Sequence, residues 1–209
     1  TRSDVKSVFA GLRPLANPNK QGSNSAKVSR SHQVLISDSG LFTLVGGKWT
    51  TFRKMGEDTI DLLIDQGRLT PKPSASAGLL VHGATQDQAY DETNPLGFYG
   101  ADLPALQDLA SSYPGGHDRL HPDYPYTVAQ VIWGVRYEMV QTVEDFLSRR
   151  VRMLLLDTQA ALEMAPQVAG LIAAERGKGE AWKQQQIADF EEVAAYYAIQ
   201  PLLANQNAA

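Results

Sequence analysis

The stretch LVGGKWTTFRK, residues 44–54, carries a strand into a helix through two adjacent glycines. The residues LFTLV (41–45) are rich enough in β-branched and aromatic side chains for a short strand. From Thr50 the period changes: Phe52, Met55, Thr59, Ile60 and Leu63 recur at i, i+3, i+7, i+8 and i+11, one face of a helix that Gly67 would end. Gly46 and Gly47 lack side chains and so admit a ligand close to the backbone, and Lys48 follows at once. The helix start near Thr50 adds free N–H groups and the positive end of its dipole. Such a turn suits an anion or a developing negative charge. It is not a Walker loop, which needs four residues between its two glycines and a Lys directly after the second. A plain strand-to-helix turn with an incidental Lys has the same spacing, so spacing alone leaves both readings open.

Working outward, KSVFA (5–9) and QVLIS (33–37) also read as strands, with Asp38-Ser39-Gly40 as a hairpin turn before 41–45. NPNKQGSNSA (17–26) is a polar loop, and RLTPKPSASAG (68–78), with two prolines and no periodicity, reads as a linker. Beyond it the pattern turns helical. Asp102 is placed to cap a helix running to Tyr113, and 113–125, with three prolines and two glycines, reads as a loop. Helices are expected over 127–137, over 142–147 with Asp145 three residues after Thr142 in a capping-box-like arrangement, over 157–164, over 166–176 and over 179–197. Val131, Leu154, Leu162, Leu171, Ile187 and Phe190 are the candidate core, and strands are confined to the first third. The fold class is therefore α+β: short strands and one helix in residues 1–70, then a mainly α-helical domain over 71–209.

Composition narrows the function classes. Of 209 residues, 43% are hydrophobic and 20% charged, which is ordinary for a folded globular protein. No apolar run approaches the roughly 18 residues of a spanning helix. Zero Cys removes disulfide frameworks, thiolate metal sites and a cysteine nucleophile, and four scattered His leave no metal cage, so no metal is expected. The first residue is Thr, which suggests a processed product or a fragment. The net charge of −4 hides an asymmetry: residues 1–54 carry nine Lys or Arg against two Asp, or +7, while the remainder carries ten against 21, or −11. A basic block in an acidic chain points to phosphate or nucleotide, or is simply a solvated face. Nucleic acid is not expected, because the cations are dispersed and lack interleaved aromatics for base stacking.

Further cations stand in small polar clusters: Arg13 in AGLRPL, next to the stiffening Pro14, and Arg30 in VSRSHQ. Each guanidinium is a planar fork able to grip a phosphate on two oxygens. His32 could serve as a base but more commonly such a residue is structural. In SRRVR (148–152) three arginines in five residues suit a phosphate, helix carbonyls, or carboxylates, and ion pairing or an interface is the expectation.

Taken together, AGLRPL (10–15), VSRSH (28–32), SGLFTLVGGKWTTFRKMGEDTID (39–61) and SRRVRMLLLD (148–157) resemble the FAD-dependent glycerol-3-phosphate dehydrogenases, in the family's order and at about its spacings. The resemblance implies that residues up to about Ile64 close a flavin domain with a topology like that of D-amino-acid oxidase, and that a helical C-terminal domain begins near Pro73. No GxGxxG occurs in the sequence. The chain is thus expected to be a C-terminal portion with neither tight FAD binding nor turnover of its own. By resemblance, Arg13 and Arg30 hold the substrate phosphate beside the flavin. Lys48 is the cation near the isoalloxazine and the substrate hydroxyl, a catalytic and substrate-binding residue. Gly46, Gly47, Lys48, Trp49 and Thr50 line the cofactor. The implied reaction is oxidation of glycerol 3-phosphate to dihydroxyacetone phosphate, with electrons passing through FAD to quinone. The implied location is cytoplasmic, peripheral on the inner face of the cell membrane, with a homodimer as a possible assembly. Two alternatives stay open: a related oxidase that uses oxygen, and a non-catalytic helical module for dimerisation or docking.

Overall fold

The computed structural model describes residues 1, 4–12, 31–85 and 94–199. They form two compact units: residues 11–81, and residues 1–10 together with 82–209. The architecture is mostly helical with two small antiparallel sheets, α+β in class.

In the smaller unit, strand β1 (His32–Ile36) pairs antiparallel with β2 (Phe42–Gly46), His32 opposite Gly46 and Ile36 opposite Phe42. The connection closes because Gly40 takes φ 81° and the Ser37 hydroxyl accepts from the Leu41 amide at 3.1 Å. A single 3-10 turn, Trp49–Thr51, then leads into helix α1 (Phe52–Asp65). Gly67, at φ 66°, ends α1 as expected: Arg68 N–H donates to the Leu63 carbonyl at 2.9 Å and Gly67 N–H to Ile64 at 2.8 Å, the paired bonds of a Schellman cap. No described residue of this unit is buried, and Leu35, Leu41, Trp49, Phe52 and Ile60 stand exposed.

The larger unit holds the core. A 3-10 turn, Gly97–Asp102, enters helix α2 (Leu103–Ser112), strands β3 (Arg119–His121) and β4 (Tyr124–Thr127) form a second hairpin, and helix α3 (Val128–Tyr137) follows. A π-turn over Asp145–Arg150, the short helix α4 (Met153–Leu156), helix α5 (Thr158–Arg176) and helix α6 (Glu180–Ala195) complete it. Val131, Leu154 and Phe190 are fully buried, as expected, while Leu162, Leu171 and Ile187 pack half-buried around the same cluster. Arg136 on α3 and Glu175 on α5 form a two-point ion pair at 2.7 and 2.9 Å that ties these helices at their rim.

Several expectations need correction. Among the described residues, 5–9 pair with no strand; they belong to the larger unit, with the Lys6 carbonyl accepting from Thr158 N and Val8 N donating to the Tyr197 carbonyl. Strands are not confined to the first third, because β3 and β4 fall in the stretch read as a loop. Asp102 does not cap α2; its carboxylate holds His82 at 2.7 Å, and Pro104, in the first turn, starts the helix. The helices read over 157–164 and 166–176 are one. Pro166 deprives the Leu162 carbonyl of its donor, but it sits on the exposed side, where that carbonyl can turn to water while the opposite face packs. Thr142 and Asp145 do bond reciprocally, at 3.0 and 3.1 Å, but the turn they start is π rather than α. The polar loop at 17–26 lies outside the described residues.

Candidate functional site

The Gly-Gly-Lys turn begins where β2 ends. Gly46 and Gly47 have φ 74° and 84°, a left-handed conformation that a side chain resists. At Gly47 space is short as well: a Cβ would lie 2.6 Å from Met55 Sδ, so that flexible side chain would have to move, and 3.1 Å from His32 Cβ. That glycine therefore leaves room for the Met55 side chain of α1 beside His32 at the start of β1. Lys48 returns to extended geometry, φ −127° and ψ 145°. The Thr51 hydroxyl and amide both donate to the Lys48 carbonyl at 2.9 Å, so Thr51 does not cap the helix that follows.

The side chains around the turn divide into a neutralised set and an exposed one. On α1, Arg53 grips Glu57 with two nitrogens, at 3.1 and 3.2 Å, and Lys54 reaches Glu57 at 2.9 Å and Asp58 at 2.7 Å. Asp58 also meets His32 Nε2 at 2.9 Å. The bonds from Arg53 and then Lys54 hold the Glu57 carboxyl down at about 2, and Lys54, with a smaller contribution from His32, lowers Asp58. Lys54 itself is raised, chiefly by Asp58. Two of the nine cations in the basic block are thus spent on acids of their own helix. Lys48 is exposed and enters none of the ion pairs found among the described residues. Beside it Trp49 is 88% exposed, its ring centroid 6.1 Å from that of Phe52, which is also exposed. The turn thus presents an exposed cation and an uncovered aromatic pair together.

Of the residues expected at the site, Gly46, Gly47, Lys48, Trp49 and Thr50 are contiguous in this turn. Arg13 and Arg30 lie outside the described residues. His32 is held by Asp58, a partner that sequence reasoning missed although Asp58 sits on the same helix as Lys54. In SRRVR, Arg149 pairs with Glu144 at 2.6 Å and Asp145 at 3.0 Å, and Arg150 with Glu138 and its carbonyl, so ion pairing absorbs two of the three arginines. Burial raises the Glu138 carboxyl despite that guanidinium. Among the described residues no three His, Asp or Glu side chains are gathered in a way that could hold a metal ion.

Residues 42–187 match the family model described as the C-terminal domain of alpha-glycerophosphate oxidase. The chain belongs to this glycerol-3-phosphate oxidase and dehydrogenase family. It is 34% identical over 206 residues to a probable mitochondrial glycerol-3-phosphate dehydrogenase of Caenorhabditis elegans, a match covering 89% of the chain and 28% of the relative. The mitochondrial glycerol-3-phosphate dehydrogenase of Homo sapiens is 33% identical over 204 residues, with the same two coverages. A probable mitochondrial one from Dictyostelium discoideum is 34% identical over 193 residues, covering 82% of the chain and 30% of the relative. The chain thus spans less than a third of the length of these curated relatives. No described helix of this family member is long and apolar enough to cross a membrane.

Proposed function

We propose that the chain supplies one wall of the substrate and flavin site in a glycerol-3-phosphate dehydrogenase that oxidises sn-glycerol 3-phosphate to dihydroxyacetone phosphate and delivers the electrons to quinone. In this reading residues 1–70 end the FAD-binding domain and 71–209 are the helical C-terminal domain. The observation that carries the proposal is Lys48: an exposed cation, outside the ion pairs of its neighbours, fixed just after a left-handed Gly-Gly turn at the start of a helix. Membership of the family supports the substrate class.

The residues of the turn fit one edge of a flavin. Gly46, Gly47, Lys48, Trp49 and Thr50 offer backbone donors, a cation and an aromatic surface, which suits a planar ring that gains negative charge. Bound FAD supplies the hydride acceptor. Lys48 holds its positive charge where negative charge develops during transfer, which stabilises the transition state more than the ground state. Arg13 and Arg30 grip the phosphate dianion and set the reacting carbon in line, contributing orientation rather than bond chemistry. The family also suggests peripheral attachment to the inner face of the cell membrane and homodimer formation.

The test is Lys48→Met in a polypeptide of the relatives' full length that carries this chain. Turnover should fall by about a hundredfold, as for loss of an oxyanion-stabilising donor, while the KM for glycerol 3-phosphate changes far less. Equal losses in kcat and affinity would contradict a transition-state role. The family model's description names an oxidase, which favours oxygen as the alternative acceptor. Hydrogen peroxide formed in proportion to substrate, with no reduction of quinone, selects that reading.

A further inference from the structure

Ion pairing leaves one arginine of SRRVR unanswered. Arg149 meets Glu144 and Asp145, and Arg150 meets Glu138, whereas Arg152 is exposed and enters no ion pair or side-chain hydrogen bond among the described residues. Its backbone is unusual as well. Arg152 takes φ 57° and ψ 24°, a left-handed conformation that glycine adopts freely and a side chain resists. It stands at a sharp junction: the π-turn closes with Val151 N–H donating to the Phe146 carbonyl at 3.1 Å, and α4 starts at Met153. Val151 and Met153, on either side, are buried, so the core fixes the position and leaves the Arg152 side chain outside. An arginine held where glycine would be at ease calls for a functional reason.

Arg152 lines a cavity of about 390 Å³ built wholly within the larger unit. Small-molecule sites run from about 300 to 1,000 Å³. Around this one stand Phe98, from the 3-10 turn before α2, Tyr126 on β4 and Leu156 at the end of α4, with Arg149 and Arg150 alongside. Phe98 and Leu156 are 50% and 53% exposed, so apolar surface lies uncovered beside the cation. The Tyr126 hydroxyl has no hydrogen-bond partner among the described residues, and burial raises the phenol, which keeps it a donor at neutral pH. Charge limits what the cavity can take. The three guanidiniums stand against three carboxylates, Glu138, Glu144 and Asp145, so the cluster has no surplus for a doubly charged ligand. One negative charge is what Arg152 can answer.

We propose that this cavity binds a small organic monocarboxylate, its carboxylate held by the Arg152 guanidinium and the Tyr126 hydroxyl and its hydrocarbon body lying against Phe98 and Leu156. The planar fork of an arginine matches the two oxygens of a carboxylate, and an aromatic and aliphatic wall suits the body that carries them. A phosphate monoester, with two charges, fits the charge count less well. The site does not depend on the role proposed for Lys48, and every residue it uses belongs to one unit.

Calorimetric titration with benzoate tests it. The 209-residue chain should bind benzoate saturably at one site with a Kd of about 1 mM, ordinary for so small a ligand. Benzyl alcohol keeps the ring without the charge and should bind about tenfold more weakly or worse. Phenyl phosphate, a dianion above neutral pH, should bind about threefold more weakly. Arg152→Gly should weaken benzoate by about tenfold or more and leave Tm no lower, since glycine relieves the left-handed backbone. Arg152→Asn, which also tolerates that conformation, should weaken it as much, and Tyr126→Phe by about threefold. No saturable binding, binding that survives both Arg152 variants, or tighter binding of phenyl phosphate overturns the proposal. A fall in Tm for both Arg152 variants assigns the arginine to the fold instead and overturns it as well. In a polypeptide of the relatives' full length, benzoate should bind within about threefold of the same Kd. Loss of binding there would mean that another part of the polypeptide occupies Arg152, and the small-molecule site falls.

Discussion

Replacing Asp157 by alanine removes three bonds from one buried carboxylate, and their costs can be assigned separately. The N-cap bond to Ala160 contributes about 1 kcal/mol. The charge-assisted bond from the Tyr124 hydroxyl contributes about 1.5–2 kcal/mol, since the phenol is left without its partner in a half-buried position. Lys6 is too exposed for its ion pair to add much. The expected loss is about 3 kcal/mol. For a unit of roughly 140 residues, with an unfolding entropy of about 2.1 cal/mol/K per residue, this lowers Tm by about 10 °C. Asp157→Asn keeps an oxygen for the cap but not the charge, so it should cost only about half as much. The assay is thermal unfolding followed by circular dichroism at neutral pH, with urea melts for the two variants. Repeating it in acid adds a sign test. The folded carboxyl lies below its ordinary value of 3.8, so its contribution is complete above that pH and is lost as the pH falls through the lower, folded value. The gap between wild type and Asp157→Asn should therefore close below about pH 3.8. A cost under 1 kcal/mol for alanine, or equal costs for alanine and asparagine, refutes the assignment of these bonds.

Phe190→Ala empties a fully buried position of α6 and should cost about 4 kcal/mol, measured as a lower urea midpoint with unchanged slope; a loss below 1.5 kcal/mol would show that the site collapses freely. Glu57 should titrate near pH 2 when followed by carboxyl NMR shifts. Because its folded value lies below the ordinary 4.5, the hold of its neighbours on α1 is complete above that pH and fades as the pH falls towards 2. A midpoint at 4 or above would mean that Arg53 and Lys54 do not engage it in solution.

The parts of the fold that could be read from the sequence were those fixed by local chemistry. Gly40 and Gly67 each sit where a left-handed residue is needed, so the first hairpin and the end of α1 followed from residue type. The second hairpin did not, because its strands have three and four residues and owe their order to Leu120, Tyr124 and Tyr126 packing on the main core. The unbroken α5 went unread for the same reason. Pro166 signals a break locally, and the burial of Met164, Ala165, Val168 and Ala169 around it overrides that signal. At the site, the Gly-Gly-Lys turn was visible as a change of period. The charge count that stopped at residue 54 overstated the basic block, since Arg53 and Lys54 are answered by Glu57 and Asp58 within the next turn of α1. The bonds of Lys6 were invisible because its partners, Tyr124 and Asp157, lie 118 and 151 residues further on.

The bond from Val8 to Tyr197 has a consequence for the order of synthesis. The larger unit takes its first residues from before the hairpin and α1 and the rest from after them, so in sequence the smaller unit is an insertion in it. A ribosome delivers residues 6–8 long before α4, α5 and α6 exist to receive them. Closing that contact must wait until residue 197 has emerged, and the entropy of so long a loop makes it a late event in folding. Leu35, Leu41, Trp49 and Phe52 stand exposed whether or not that contact has closed, on a unit with no buried residue among those described, so they give the polypeptide an apolar surface prone to aggregation throughout.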